Sequence, residues 1–169
     1  KEEYMKAILP ALKSFKKKDD EFKVDVLEGK EGVRNYLERI LNNALIEKAE
    51  EFLVITSPGS DLMINYKYIR PYLMKRAKTL AQDMHIKWLL ISQKSKKSRS
   101  DEYDLSLLGE KKLIYVEKPH LSTIGIYQNH VEITLLSIDT PMAISISNKN
   151  IADSFRIFYN IMWSIGTEK

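Results

Sequence analysis

The residues able to do acid–base, nucleophilic or metal chemistry are few and scattered. His85, His120 and His130 are the only histidines and cysteine is absent. No His-x-x-x-His or His-Glu-x-x-His pair occurs, so no metal site is expected. Gly-x-Gly-x-x-Gly and Walker A patterns are missing, which leaves no nucleotide cradle, and there is no Gly-x-Ser-x-Gly nucleophile elbow. No cofactor is therefore expected. One spacing does match a known chemistry: His85-Ile86-Lys87 offers a histidine to attack phosphorus and a lysine to hold phosphate oxygens. That chemistry also calls for an aspartate seven residues after the histidine, where this chain has Ser92. The match reads as chance at the start of an apolar strand. Ser57-Pro58-Gly59-Ser60-Asp61 is the best anion-binding stretch, because it follows a core strand, where open α/β sheets place ligands. The same residues are also what a turn and helix N-cap require. Lys94, Lys96, Lys97 and Arg99 form a basic stretch with no interleaved aromatic, so base stacking is not expected of it.

The elements that position these residues follow from periodicity. Residues 2–18 read as a helix with Met5, Ile8, Leu12 and Phe15 on one stripe, kinked at Pro10. Phe22, Val24 and Val26 alternate with Lys23 and Asp25 as a half-buried strand. A helix is predicted over 31–48, with Val33, Leu37, Ile40, Leu41, Ala44 and Leu45 on one face. Strands follow at 52–56 and 85–91, separated by a helix over 65–82 that Pro71 interrupts. Residues 92–101 lack any apolar member and read as an exposed loop. Strands are then predicted at 112–116, 123–127, 131–136 and 142–147, with a hairpin turn at 128–130. A closing helix over 149–165 has Ile151, Phe155, Phe158, Met162 and Ile165 as its buried stripe. Strand–helix alternation followed by consecutive strands argues an α/β protein with a mixed sheet flanked by helices.

Composition agrees. The 169 residues suit one globular domain with a real core. A 44 % hydrophobic content excludes disorder, and no apolar run is long enough to span a membrane. Absence of cysteine favours a reducing, cytoplasmic compartment. The formal net charge of +4 falls short of a dedicated nucleic-acid binder. A start at Lys1 rather than Met reads as a segment of a longer protein, with residues 1–19 as a connector helix from an upstream domain and residues 20–169 as the α/β domain.

Three stretches, VLEGKEGVRNYLERIL, YIRPYLMKRAK with HIKWLLIS, and IGIYQNHVEITLLSIDTPMAISISNKNIADSFRIFYNIMW, occur in this order. Together they resemble the C-terminal domain of TrmB-type transcriptional regulators, which follows a winged-helix domain and a connecting helix. The resemblance covers roughly residues 20–165 and implies a fold similar to one half of the phospholipase D fold. The phospholipase D motif, His-x-Lys-x4-Asp, maps onto Leu121, Thr123 and Gln128, none of which matches. A hydrocarbon cannot attack phosphorus, and a threonine cannot neutralise a phosphate. The resemblance thus implies a non-catalytic regulatory domain that senses a small effector and forms a homodimer, while DNA is contacted by an upstream winged helix. Candidate effector contacts are Ser57, Gly59, Ser60 and Thr123, and candidate dimer contacts are Leu12, Phe15, Tyr159 and Trp163. The terminal helix has aromatics on two faces (Phe155, Phe158, Tyr159, Trp163), which suits an interface. The competing expectation is a phosphodiesterase of phospholipase D type with a displaced site on His85 and Lys87.

Overall fold

The computed structural model describes residues 22–57, 84–93, 109–118, 122–135 and 141–168. The expected helices over 2–18 and 65–82 lie outside those residues, as do Leu12, Phe15, Gly59, Ser60 and the basic stretch from Lys94. Within them, strand β1 (Lys23–Glu28) runs into helix α1 (Gly29–Ile46), followed by β2 (Glu51–Thr56) and β3 (His85–Gln93). Then come β4 (Glu110–Val116), β5 (Ser122–Tyr127), β6 (His130–Leu135), β7 (Met142–Ser147) and helix α2 (Lys149–Ile165). All seven strands join one sheet in the order β1-β7-β6-β5-β2-β3-β4. β2, β3 and β4 are parallel neighbours, and the remaining pairings are antiparallel. The sheet is mixed because short hairpin connections allow antiparallel pairing, whereas the β2–β3–β4 half is joined by long crossovers.

Among the described residues, each face carries one helix and one core. α1 lays Val33, Tyr36, Ile40 and Ala44 against Val54, Ile86, Tyr127 and Ala143. On the opposite face Tyr159 of α2, with Phe155, Met162 and Trp163 beside it, packs on Leu53, Ile55, Leu89, Ile91 and Ile126. Side chains alternate between faces along every strand, so β6 sends Glu132 and Thr134 under α1 and Val131 to the other side. Gln128 starts the β5–β6 turn at φ +44, and Arg156 donates to its carbonyl at 2.8 Å. Asn148 caps α2 by accepting from the Ile151 N–H at 3.1 Å. Beyond α2, Thr167 exchanges backbone hydrogen bonds with Leu113 at 2.8 and 2.9 Å. This contact covers the outer side of β4 at that point, where a bare strand edge would invite pairing with another chain.

Three sequence expectations need correction. β3 continues through Ser92 and Gln93, which pair with Tyr115 and Val116; a parallel neighbour on that side satisfies backbone that polarity alone marks as loop. On β1 it is Asp25 and Leu27 that are partly covered, while Phe22, Val24 and Val26 are exposed, because α1 packs on the other side of this edge strand. On α2, Phe158 and Ile165 face outward rather than into the core. The inward stripe is Ala152, Phe155, Tyr159, Met162 and Trp163, since Ala152 and Tyr159 are the residues the helix buries completely.

Candidate functional site

Three threonines line up across neighbouring strands at the C-terminal end of β2. Thr56 ends β2, and its Oγ1 lies 2.9 Å from Thr123 Oγ1 on β5. Thr123 is the register partner of Thr134 on β6, which is buried. Ser57, the next residue on the chain, is also buried and donates its hydroxyl to Ile91 O at 2.9 Å. Of the expected effector contacts, Ser57 and Thr123 thus reach the same end of the sheet. The Ser57 hydroxyl serves main-chain pairing, whereas Thr123 joins a side-chain row. Thr56 and Thr134 were not foreseen. The detectable signal is Thr56, the one hydroxyl in the otherwise apolar run from Phe52 to Thr56.

The row continues inward through hydroxyls and a carboxyl. Glu132, two residues before Thr134 and on the same face, is only 4 % exposed. Its Oε2 accepts from the Tyr36 hydroxyl of α1 at 2.6 Å. Its Oε1 accepts from Ser145 at 3.0 Å and from Tyr127 at 3.4 Å. Thr134 is buried on the same face of β6 as Glu132. Burial holds the Glu132 carboxyl above the ordinary carboxylate range, and the hydroxyl donors oppose that shift. Tyr36 and Tyr127 are pushed up, by burial first and then by the neighbouring Glu132, so both stay neutral donors. Among the described residues no Lys or Arg bonds this carboxyl, and His130 acts on it only through space. Such a cluster can donate to and accept from a polar neutral group. Among the described residues it brings no Lys or Arg to hold a phosphate.

The His-x-Lys match sits at the other end of the sheet. His85 is the register partner of Glu51, and Leu90 that of Thr56, so five residues of strand, about 17 Å, separate the two sites. His85 Nε2 lies 2.5 Å from Glu110 Oε1, and Lys87 Nζ lies 2.8 Å from Glu51 Oε1. Each basic group already faces a carboxylate that would repel a phosphodiester. His130 is likewise engaged, with Nδ1 2.9 Å from Ser147 Oγ and Nε2 3.1 Å from Glu47.

The two described candidates for dimer contacts lie inward. Tyr159 is wholly buried and donates its hydroxyl to Lys87 O at 3.0 Å. Trp163 stacks on Tyr159 with ring centroids 5.7 Å apart, and Lys112 Nζ sits 5.2 Å from its ring centre. Their rings fill the core under α2, so the surface this helix leaves open belongs to other residues: Ile157, Phe158, Ile161 and Ile165.

No family model and no curated protein sequence matches this chain. Solved structures do. Nuc from Salmonella typhimurium, a phospholipase D family member, superposes with a TM-score of 0.63 at 14 % identity, covering 88 % of this chain and 99 % of Nuc. NucT from Helicobacter pylori gives 0.54 at 11 % identity, over 88 % of this chain and 100 % of NucT. TrmBL2, an archaeal chromatin protein whose structure shows a novel mode of DNA binding, gives 0.50 at 15 % identity. That match covers 99 % of this chain but 62 % of TrmBL2, so this chain spans under two thirds of its length. Identities this low speak for architecture alone. With its seven-stranded mixed sheet and a helix on each face, the chain has the phospholipase D-like α/β fold.

Proposed function

We propose that this chain is a non-catalytic regulatory domain of phospholipase D-like fold in a TrmB-like transcriptional regulator. In this reading it acts in the cytoplasm, pairs with a second copy of itself, responds to a small effector and leaves DNA contact to another domain. The observation that carries it is the contact between Thr123 and Thr56 at 2.9 Å. On the resemblance to the phospholipase D motif, Thr123 takes the place of the phosphate-holding lysine and Leu121 that of the nucleophilic histidine. Among the described residues, these two neutral hydroxyls bond each other and show no Lys, Arg or His beside them to stabilise a pentavalent phosphorus. What they can do is satisfy hydroxyl, amide or carbonyl groups of a small polar ligand. The likeness to TrmBL2 over nearly the whole chain supports the regulatory side of the reading, at the level of fold.

The test has two parts. Bis(p-nitrophenyl) phosphate should not be hydrolysed above the buffer rate, and turnover that disappears in both His85→Ala and Lys87→Ala would overturn the non-catalytic reading. Neutral sugars, nucleosides and amino acids should then be screened by calorimetric titration. A ligand found in this way should bind at least tenfold more weakly to Thr123→Val. Equal affinity in Thr123→Val and Thr56→Val would remove the effector from the threonine row.

A further inference from the structure

We infer that the outward face of α2 is the surface on which two copies of this chain meet about a two-fold axis. This rests on the pairing in the proposed function and names its surface. α2 is apolar on two sides. One side is consumed by the sheet, as described above. On the other, Ile157, Phe158, Ile161 and Ile165 are each between 58 % and 68 % exposed. Ile157, Ile161 and Ile165 follow one another at four-residue spacing, and Phe158 lies beside them, so they form one continuous stripe. A helix with apolar residues on both sides is normally covered on both. At this exposure the four side chains present on the order of 400 Å², which is already the size of patch that marks an interaction site on a soluble protein.

The chemistry of the stripe points to a second copy as its occupant. A two-fold axis sets a patch against itself, so any charge in it meets its own kind. Residues 157–165 contain no Asp, Glu, Lys or Arg. The charges of α2 are confined to its first two turns and pair with one another, Lys149 with Asp153 and Arg156 with Asp153. The polar residues along the stripe also lose little on burial. Ser154 donates to Asn150 O at 2.8 Å and Ser164 to Ile161 O at 2.6 Å, so neither hydroxyl is stranded when water leaves. The apolar stripe supplies about half of the roughly 800 Å² that one partner contributes to a standard interface. The exposed serines and Asn160 form its rim, which gives the apolar centre and polar margin of a specific contact.

Equilibrium sedimentation at tens of micromolar tests this. The unmodified chain should sediment at twice the 19.7 kDa monomer mass. Phe158→Glu and Ile161→Glu should each weaken association at least a hundredfold, because each substitution enters the contact twice. Ile46→Glu, at a residue 77 % exposed on the far helix, should leave the dimer intact. Should the charged variants fail to fold by circular dichroism, Ile161→Cys in this cysteine-free chain replaces them: mild oxidation should lock a covalent dimer, and Ile46→Cys should not. A monomeric chain at these concentrations overturns the inference. So does a dimer indifferent to both α2 substitutions, or one that only Val26→Lys dissociates, which moves the contact to the β1 edge. Phosphodiester hydrolysis is measured independently, so failure of the interface and failure of the non-catalytic reading are told apart.

Discussion

Replacing Tyr36 with Phe isolates one hydrogen bond in the buried polar cluster, because the ring and its packing stay in place. The hydroxyl removed donates at 2.6 Å to Glu132 Oε2. The other donors to Glu132, Ser145 at 3.0 Å and Tyr127 at 3.4 Å, are directed at Oε1 and cannot replace it without moving. A bond to a buried carboxyl, with the acceptor then left unsatisfied, is worth about 2–3 kcal/mol. For a chain of this size that loss lowers the melting temperature by roughly 5–10 °C. Urea unfolding of the four members of the cycle with Glu132→Gln is the assay. With a neutral amide at position 132 the tyrosine penalty should shrink to about 1 kcal/mol. The pH dependence has a defined sign. The folded-state pKa of Glu132 is raised above 4.5, so the folded state holds a proton that the unfolded chain releases as pH climbs past that value. The stability of the unmodified chain relative to Glu132→Gln is therefore highest below about pH 4.5 and falls as pH rises through the folded-state titration. A Tyr36→Phe penalty under about 0.5 kcal/mol, an equal penalty in both backgrounds, or a stability difference that grows with pH would refute this account of the cluster.

Other outcomes are expected from single features. Gly109 sits at φ +131, and a Cβ there would lie 1.9 Å from Ile86 O; Gly109→Ala should cost more than about 3 kcal/mol by urea melting and displace the start of β4. Tyr159→Phe removes the bond to Lys87 O and should cost about 1 kcal/mol in the same assay. His85→Ala removes an exposed pair with Glu110 and should change stability by less than about 1 kcal/mol. With a formal charge of only +4, the chain alone should bind duplex DNA weakly, without sequence preference and with loss on adding salt, as read by fluorescence anisotropy.

Element order was readable because strand-like and helix-like segments alternate with polar breaks between them. α2 begins at 149 directly after Asn148, a residue suited to cap it, and ends at 165 before Gly166, where a Cβ would lie 2.9 Å from that of Lys112. The inward face of α2 was less readable. Phe155, Phe158, Tyr159, Met162, Trp163 and Ile165 wrap most of the helix, so helical period alone does not select a buried side. The selection is tertiary: Ala152 allows close approach to the sheet, and the Tyr159 hydroxyl finds Lys87 O. Likewise nothing local in Phe22, Val24 and Val26 tells that α1 covers the opposite side of β1.

The polar cluster escaped for a different reason. His130-Val131-Glu132-Ile133-Thr134 and Met142-Ala143-Ile144-Ser145 alternate in a way that normally turns the polar side to water. Here that side lies under α1, whose Tyr36 brings the matching donor into the middle of the sheet. A polar face roofed by a helix is expensive unless every group finds a partner, and an apolar filling of the same volume would be no less stable. The same face leads on to the threonine row at the end of β2. Thr134 pairs in register with Thr123, whose hydroxyl lies 2.9 Å from that of Thr56. The buried carboxyl, the α1 tyrosine that bonds it and the threonine row lie on one face of the sheet. The other side of β6, where Val131 is buried, faces α2. A single strand thus carries the polar face that would meet an effector and the apolar face that supports the helix assigned to the partner.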